Sequence, residues 1–116
     1  MDNKNLRAME LLQRNLPIFN ALGSPVRQQI MLLLSDDVSK NVAQLTKRTG
    51  LARPTVSHHI KILKKAGLLT VHRKGVNYYY TPQYSTPLKS LREFISLLEN
   101  IEKTGGTIAK ITKTDR

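Results

Sequence analysis

The spacing of apolar residues predicts that the first third of the chain is helical. Between residues 4 and 14, Leu6, Met9 and Leu12 recur at intervals of three, which places them on one face of a helix. Pro17 is expected to open a second, short helix over PIFNALGS, because proline fits a first helical turn and the glycine closes the helix. Ser24 can cap a third helix that begins at Pro25. The residues of that helix expected to be buried are Val26, Ile30, Leu33 and Leu34.

Two further short helices are predicted close together. Asn41 can cap the first, and Gly50 can supply the left-handed residue that ends it. The apolar residues of this helix are Val42, Ala43 and Leu45. Only three residues separate Gly50 from Pro54, which suits the first position of the next helix. Two short helices joined by a tight glycine turn predict a helix-turn-helix.

The run LLTVHRKGVNYYYT after this unit has the alternating pattern of a β-hairpin. Leu69 and Val71 share one face, Tyr78 and Tyr80 form another alternating set, and the KG pair at 74–75 lies at the turn between them. A hairpin directly after a helix-turn-helix is a wing. We interpret its tyrosines as residues that pack the hairpin core rather than as a platform on which bases stack, because the alternation sends Tyr79 to the opposite face from Tyr78 and Tyr80.

A last helix is predicted from residue 87 to residue 103, and residues 104–116 are expected to form a flexible basic tail. The apolar stripe of this helix consists of Leu88, Leu91, Ile95, Leu98 and Ile101, with Phe94 beside it. The predicted fold is therefore mainly α with a small β-hairpin, a single winged helix-turn-helix domain over residues 1–103.

The charge of the chain indicates which kind of partner it binds. The 116 residues carry a formal net charge of +11, and no Asp or Glu occurs from Val38 through Arg92. A field of one sign over half of a small domain attracts polyanions, which favours nucleic acid over the main competitor, an anionic membrane surface. The chain has no cysteine, which excludes disulfides and thiolate metal sites, and it has no apolar run of membrane-spanning length. We expect a cytoplasmic protein.

The helix that starts at Pro54 is predicted to contact this partner. If Val56 faces inward, Ile60 and Leu63 follow it into the core, and the opposite side carries hydroxyl, imidazole and ammonium groups without an acid. Such groups can donate to base edges and phosphates in a major groove. A thin cationic hairpin can lie against phosphates or reach into a minor groove. The predicted DNA-binding residues are Arg53, Pro54, Thr55, Ser57, His58, Lys61 and Lys65, with Arg73, Lys74 and Gly75 at the wing.

The adjacent histidines of this helix do not suit a metal ion. Neighbouring side chains on a helix diverge by about 100°, so His58 and His59 cannot grip one ion from one face. His59 falls on the flank of the core stripe and is interpreted as a packed, hydrogen-bonded structural residue. His58 points outward, where it either reads a base or faces solvent.

The runs ALGSPVRQQIMLLL, QLTKRTGLARPTVSHHIKILKKAGLL and HRKGVNYYYTP resemble the ArsR/SmtB family of prokaryotic winged-helix repressors over residues 21–82. The resemblance implies a homodimer, paired through the first and last helices, that binds double-stranded operator DNA of dyad symmetry and that an inducer usually releases. The residues that suit this dimer interface are Leu6, Met9, Leu12, Leu91, Phe94, Ile95, Leu98 and Ile101.

The metal-sensing sites of that family do not transfer. Many members use cysteines in the first helix of the helix-turn-helix, where this chain reads KNVAQL, and others use histidine and carboxylate pairs on the last helix, which has no histidine here. We therefore expect no metal site and no cofactor, and the inducer remains unknown. The chain also lacks a nucleophile, base and acid set, so an enzyme is not expected. The alternative function is an architectural or RNA-binding winged helix without operator choice.

Overall fold

The structure is a computed structural model that describes residues 3–36 and 38–104. Five helices and one two-stranded sheet follow each other in the order α1, α2, α3, α4, β1, β2 and α5. Their bounds are α1 Asn3–Leu22, α2 Pro25–Leu34, α3 Val42–Thr49, α4 Arg53–Lys65, β1 Leu69–Lys74, β2 Asn77–Pro82 and α5 Ser85–Thr104. The predicted fold class is confirmed. The predicted tail, apart from Thr104 at the end of α5, lies outside the described residues.

One long helix replaces the two that the sequence predicted before residue 24. Pro17 lies inside α1 rather than at the start of a second helix. Proline removes one backbone hydrogen bond from a helix interior. The helix continues because a buried stripe at helical spacing runs through the proline, from Leu11 and Asn15 to Ile18 and Ala21. Packing of this stripe, which our prediction did not weigh, offsets the lost bond.

The starts of α4 and α5 also differ slightly from the prediction. Arg53 is the first residue of α4, so Pro54 occupies its second position. Ser85 begins α5, which places Pro87 inside its first turn rather than at its start. The first turn of a helix has no acceptor for its amides in any case, so proline is tolerated there without a broken bond.

The core lies where α1, α2, α3, α4 and the start of β1 meet. Its fully enclosed residues include Ile30, Leu34, Leu45, Val56 and Leu63. Of the residues predicted to be buried on α2, Val26 and Leu33 are only partly buried, while Met31, which was not predicted, is buried. This core holds α4 from behind and leaves its other side free.

The predicted hairpin is present and antiparallel, but its turn consists of Gly75 and Val76 rather than Lys74 and Gly75, because Lys74 still pairs within the ladder as the last residue of β1. Val71 pairs with Tyr80, and Lys74 pairs with Asn77 on either side of the turn. Lys40 forms an additional bridge to Tyr80, with the Tyr80 amide donating to the Lys40 carbonyl at 2.9 Å. The residue just before α3 is thereby joined to the wing, so the helix-turn-helix and the hairpin form one body.

Candidate nucleic-acid interface

The turn between α3 and α4 is fixed by local hydrogen bonds and by one left-handed glycine. Asn41 accepts from the Gln44 amide and Gln44 accepts from the Asn41 amide, both at 2.9 Å, which makes a complete capping box. Gly50 ends α3 at φ +72°, a conformation that side chains with a Cβ rarely adopt. The predicted cap and turn are confirmed, and they set the direction in which α4 leaves α3.

The buried and exposed sides of α4 are those predicted from the sequence. Val56, Ile60 and Leu63 are at most 3% exposed. The residues of the predicted interface on this helix are all exposed: Arg53, Pro54, Thr55, Ser57, His58, Lys61 and Lys65. A helix held by three aliphatic side chains presents a fixed row of donors on its outer side. Lys64, which was not among the predicted interface residues, is exposed as well.

The amino end of α4 adds backbone donors to this row. Its N-cap residue is Ala52, which has no side chain that could accept from the first amides. The free amides and the helix dipole both favour a negative group at such an end. Arg53 and Thr55 are exposed beside it, so a phosphate placed there would meet two polar side chains and an uncapped helix end.

The exposed cations around α4 have no carboxylate partner. In residues 3–36 and 38–104 the ion pairs are Arg7–Glu10, Arg14–Glu93 and Lys40–Asp36, none of which involves α3, α4 or the hairpin. The exposed cations of these three elements are Lys47, Arg48, Arg53, Lys61, Lys64, Lys65, Arg73 and Lys74. We call this set the basic surface. Because none of them forms a salt bridge among the described residues, these groups remain available to an outside polyanion.

Lys40 does not contribute to the basic surface, although it lies in the acid-free interval of the sequence. Its side chain is only 5% exposed, and its ammonium donates to both oxygens of Asp36 at 2.6 Å and to the Val38 carbonyl at 3.1 Å. The Lys40 ammonium, through this hydrogen bond, is the main cause that lowers the pKa of Asp36 below its usual 3.8. Lys40 is therefore a structural cation at the joint between α2, α3 and the wing.

The two histidines of α4 lie in the different environments that their helical positions predict. His59 is partly buried, and its Nδ1 lies 3.3 Å from Nη1 of Arg27 on α2. Burial first, and then the charges of Arg27 and His58, lower the pKa of His59 from 6.5. His58 is exposed, with its ring centroid 5.7 Å from that of His59. The interpretation of His59 as a packed, hydrogen-bonded residue is confirmed.

The wing presents a pre-shaped basic tip. The Arg73 Nε donates to the Gly75 carbonyl at 2.9 Å, and its guanidinium carbon lies 5.9 Å from the centre of the Tyr78 ring. Both contacts limit the side-chain freedom of Arg73. Lys74 is exposed next to it, and Gly75 has a φ of +65° in the turn. Val76 is 85% exposed at this tip, a position that the charge pattern gave no reason to notice.

Only part of the tyrosine run packs as predicted. Tyr80 is partly buried against the core, and burial raises its pKa above the usual 10.0. Tyr79 points to the other side of the hairpin and stacks on His72, with the ring centroids 6.0 Å apart. Tyr78 is 52% exposed, so the prediction that it packs into the hairpin core is wrong. Its ring faces a pocket that Val42, Ala43 and Arg53 also line, and it contacts Arg73.

A second surface, on α1 and α5, is apolar. Five of the residues predicted for a dimer interface are about half exposed: Leu6, Met9, Leu12, Ile95 and Leu98. The other three are partly buried, since Leu91 packs on the core and Phe94 contacts Phe19 at a ring distance of 6.2 Å, while Ile101 is partly covered near the end of α5. Leu16, Phe19 and Leu88 extend the exposed apolar set. We call these residues of α1 and α5 the apolar face.

The described part of the chain holds no group of three or more His, Cys, Asp or Glu side chains that could bind a metal ion. Within the same residues, none of the helices combines the length and the apolar character that crossing a membrane requires.

Comparison with known proteins agrees with this arrangement. The profile of the family described as "Bacterial regulatory protein, arsR family" matches residues 24–71. An uncharacterized HTH-type transcriptional regulator of Methanocaldococcus jannaschii is 38% identical over 73 residues, which are 62% of this chain and 82% of that protein. The transcriptional repressor SdpR of Bacillus subtilis is 33% identical over 64 residues, which are 55% of this chain and 70% of the repressor.

Solved structures show the same fold. An ArsR-like transcriptional regulator from Rhodococcus superposes with a TM-score of 0.75 at 18% identity, covering 91% of this chain and 96% of that one. A protein of Mycobacterium bovis, described as a homodimeric winged helix-turn-helix DNA-binding domain, gives a TM-score of 0.59 at 22% identity, covering 89% and 93%. The winged helix-turn-helix architecture is therefore shown for this chain.

Proposed function

The chain belongs to the arsR family of bacterial regulatory proteins, and on that premise we propose that it is a transcriptional repressor that binds a dyad-symmetric DNA operator as a homodimer. The observation that carries the proposal is the exposed, acid-free side of α4, which the core holds in place from behind. Its site of action is the operator DNA in a prokaryotic cytoplasm. No catalytic step, metal or cofactor is part of the proposal.

The polar side chains of α4 divide into two roles. Ser57 and His58 are short or planar donors on the middle of the exposed side, suited to base edges in a major groove. Lys61 and Lys65 follow one and two turns later and suit phosphates, as do Arg53 at the helix start and Lys74 at the wing. The tip residues Arg73 and Gly75, with the ring of Tyr78, would lie along the backbone or in the adjacent minor groove.

The apolar face supports the dimer. Exposed Leu, Ile, Met and Phe side chains on two long helices that pack together would be covered by the same surface of a second copy. The Mycobacterium bovis neighbour is described as homodimeric, which supports the same assembly here. Two copies would present two α4 helices, which is the reason to expect an operator with two related half-sites.

The dimer is tested by the mass in solution. Replacing Ile95 with Glu places a carboxylate in the apolar face, and we expect the chain to become monomeric in sedimentation equilibrium while its helical circular dichroism stays unchanged. Gln29→Glu, which adds the same carboxylate at an exposed position on α2, should remain dimeric. A dimeric Ile95→Glu chain would place the interface elsewhere.

Operator choice is tested by selecting duplexes from a random pool with the purified full chain. We expect enrichment of a dyad motif, bound roughly tenfold or more tightly than random duplex. Ser57→Ala should cost about 1–3 kcal/mol on that motif if a base contact is lost, and leave the affinity for random duplex unchanged. Equal affinity for the motif, random duplex and RNA would instead favour an architectural or RNA-binding protein.

A further inference from the structure

Arg27 connects three helices with a single side chain. It lies in the first turn of α2, where its Nε donates to the Ala21 carbonyl at 2.7 Å and its Nη2 to the Asn20 carbonyl at 3.0 Å. Its remaining terminal nitrogen, Nη1, lies 3.3 Å from Nδ1 of His59 on α4. The guanidinium thus has two partners at the end of α1 and one on α4.

The contacts at the end of α1 make a rigid joint. The last carbonyls of a helix have no partners within it, and a cation near them is favoured by the helix dipole. Arg27 satisfies two of these carbonyls, and the Gln28 Nε2 donates to a third, that of Leu22, at 2.7 Å. The Arg27 amide donates in turn to Ser24 Oγ at 3.3 Å. The turn from α1 to α2 is therefore bonded from both sides.

The contact with His59 fixes the state of the imidazole. A guanidinium has only donors, so His59 Nδ1 must accept and the ring must be neutral with its proton on Nε2. His59 lies between buried Ile60 and exposed His58 along α4, at the margin of the core. A ring bonded at this margin limits how α4 can roll or tilt relative to α2 and to the end of α1.

We propose that Arg27 is a positioning residue that sets the placement of α4 relative to the terminal helices through neutral His59, and thereby determines which half-site spacing the dimer accepts. This inference rests on the proposed function, since half-sites exist only for a dimeric DNA-binding protein. Arg27 itself is not required to touch DNA. Its effect on selectivity follows from geometry, because a small rotation at α4 moves both reading helices of a dimer relative to each other.

We call the hydrogen bond between Arg27 and neutral His59 the clamp. Protonation of His59 would break it. A charged imidazole has no acceptor and would face the guanidinium of Arg27, a repulsion to which a charged His58 on the same helix would add. No carboxylate among the described residues acts on His59 to offset this repulsion. The pKa of His59 is lowered from 6.5, so the clamp is intact at neutral pH and is lost as the pH falls through this lowered pKa.

The first test needs no DNA. Nitrogen-15 NMR of the imidazole rings in the full chain should show His59 as the Nε2–H tautomer, with a titration midpoint below the usual 6.5 of a histidine. Replacing Arg27 with Gln should raise the His59 midpoint, because the charge of Arg27 is one of the causes that lower the pKa of His59. A His59 ring protonated on Nδ1, or a midpoint indifferent to Arg27→Gln, would overturn the clamp whether or not the chain binds an operator.

The second test measures selectivity on duplexes whose half-sites are moved apart or together by one base pair. Arg27→Gln should reduce the preference for the correct spacing by about tenfold, a change within the range of interaction energies measured between residues in contact. The dependence of binding on salt should keep the same slope. His59→Asn, which keeps an acceptor near the Nδ1 position, should retain the preference, whereas His59→Leu should lose it. If Arg27→Gln does not fold, Arg27→Lys, which keeps the charge but not the planar fork, provides the same comparison.

The outcomes separate the two proposals. If Arg27→Gln lowers the affinity for every duplex by the same factor, Arg27 is a phosphate contact, and the positioning role is overturned. If the unaltered chain shows no spacing preference, the proposed operator function fails, and the NMR measurement alone then decides whether the clamp exists.

Discussion

Neutralising Lys61 should change how steeply DNA binding depends on salt. Five cations per chain belong to the predicted DNA-binding residues: Arg53, Lys61, Lys65, Arg73 and Lys74. Each is exposed and free of a carboxylate in the described structure. If each meets one phosphate, a dimer neutralises about ten phosphates and log K falls with log salt at a slope of about −9. Lys61→Gln removes two of these contacts per dimer, so its slope should be about −7.

This difference is large enough to measure directly. Between 50 and 200 mM salt, a slope of about −9 lowers affinity roughly 3 × 10⁵-fold, and one of about −7 lowers it roughly 2 × 10⁴-fold. Fluorescence anisotropy with a labelled random duplex at four salt concentrations gives the slope without knowledge of the operator. Lys103→Gln, which removes an exposed cation from the far end of α5, should leave the slope unchanged. Equal slopes for Lys61→Gln and the unaltered chain would refute the assignment of α4 to the interface.

Four further substitutions test other parts of the structure. Lys74→Gln at the wing should weaken binding to all duplexes alike, and an unchanged salt slope would argue against a wing–phosphate contact. Leu45→Ala should lower the free energy of unfolding by about 2–5 kcal/mol in guanidinium titrations, because the side chain is fully enclosed in the core. Gly50→Ala should cost only about 1–2 kcal/mol in the same assay, since an added Cβ there meets no atom within 4 Å and only the left-handed backbone is strained. Asp36→Asn should lower the melting temperature at neutral pH by leaving the enclosed Lys40 ammonium without its carboxylate. Because the pKa of Asp36 is lowered below 3.8, its contribution is complete above that pH and is lost as the pH falls through the lowered pKa, so the two melting curves should converge in acid.

The parts of the fold that sequence could predict depend on local signals. The capping box at Asn41, the left-handed Gly50 and the apolar spacing of α4 act within a few residues, so they specify the helix-turn-helix almost independently of the rest of the chain. The same spacing separated His58 from His59, because a position on a helix fixes which side chain faces the core. The candidate interface on α4 was therefore predictable in detail.

The parts that the sequence could not reveal depend on distant partners. Pro17 reads locally as a helix start, and only packing along the whole of α1 explains why it lies in a helix interior. Lys40 reads as one more surface cation, but its bridge to Tyr80 and its bond to Asp36 place it inside. The contact between Arg27 and His59 joins residues 32 positions apart, and no local pattern indicates such a pair.

The distribution of charge explains why the molecule should approach DNA with α4 leading. From residue 42 to residue 82 there are eight Lys or Arg and no Asp or Glu, whereas α1 and α5 together carry six Lys or Arg and four Glu. Two of those glutamates, Glu10 and Glu93, are paired with arginines of α1, which reduces the field of the terminal helices further. A polyanion is therefore drawn to the helix-turn-helix and the wing rather than to the apolar face. On the proposed function, the chain would then bind a second copy through the apolar face and DNA through the basic surface, and the two surfaces share no residue.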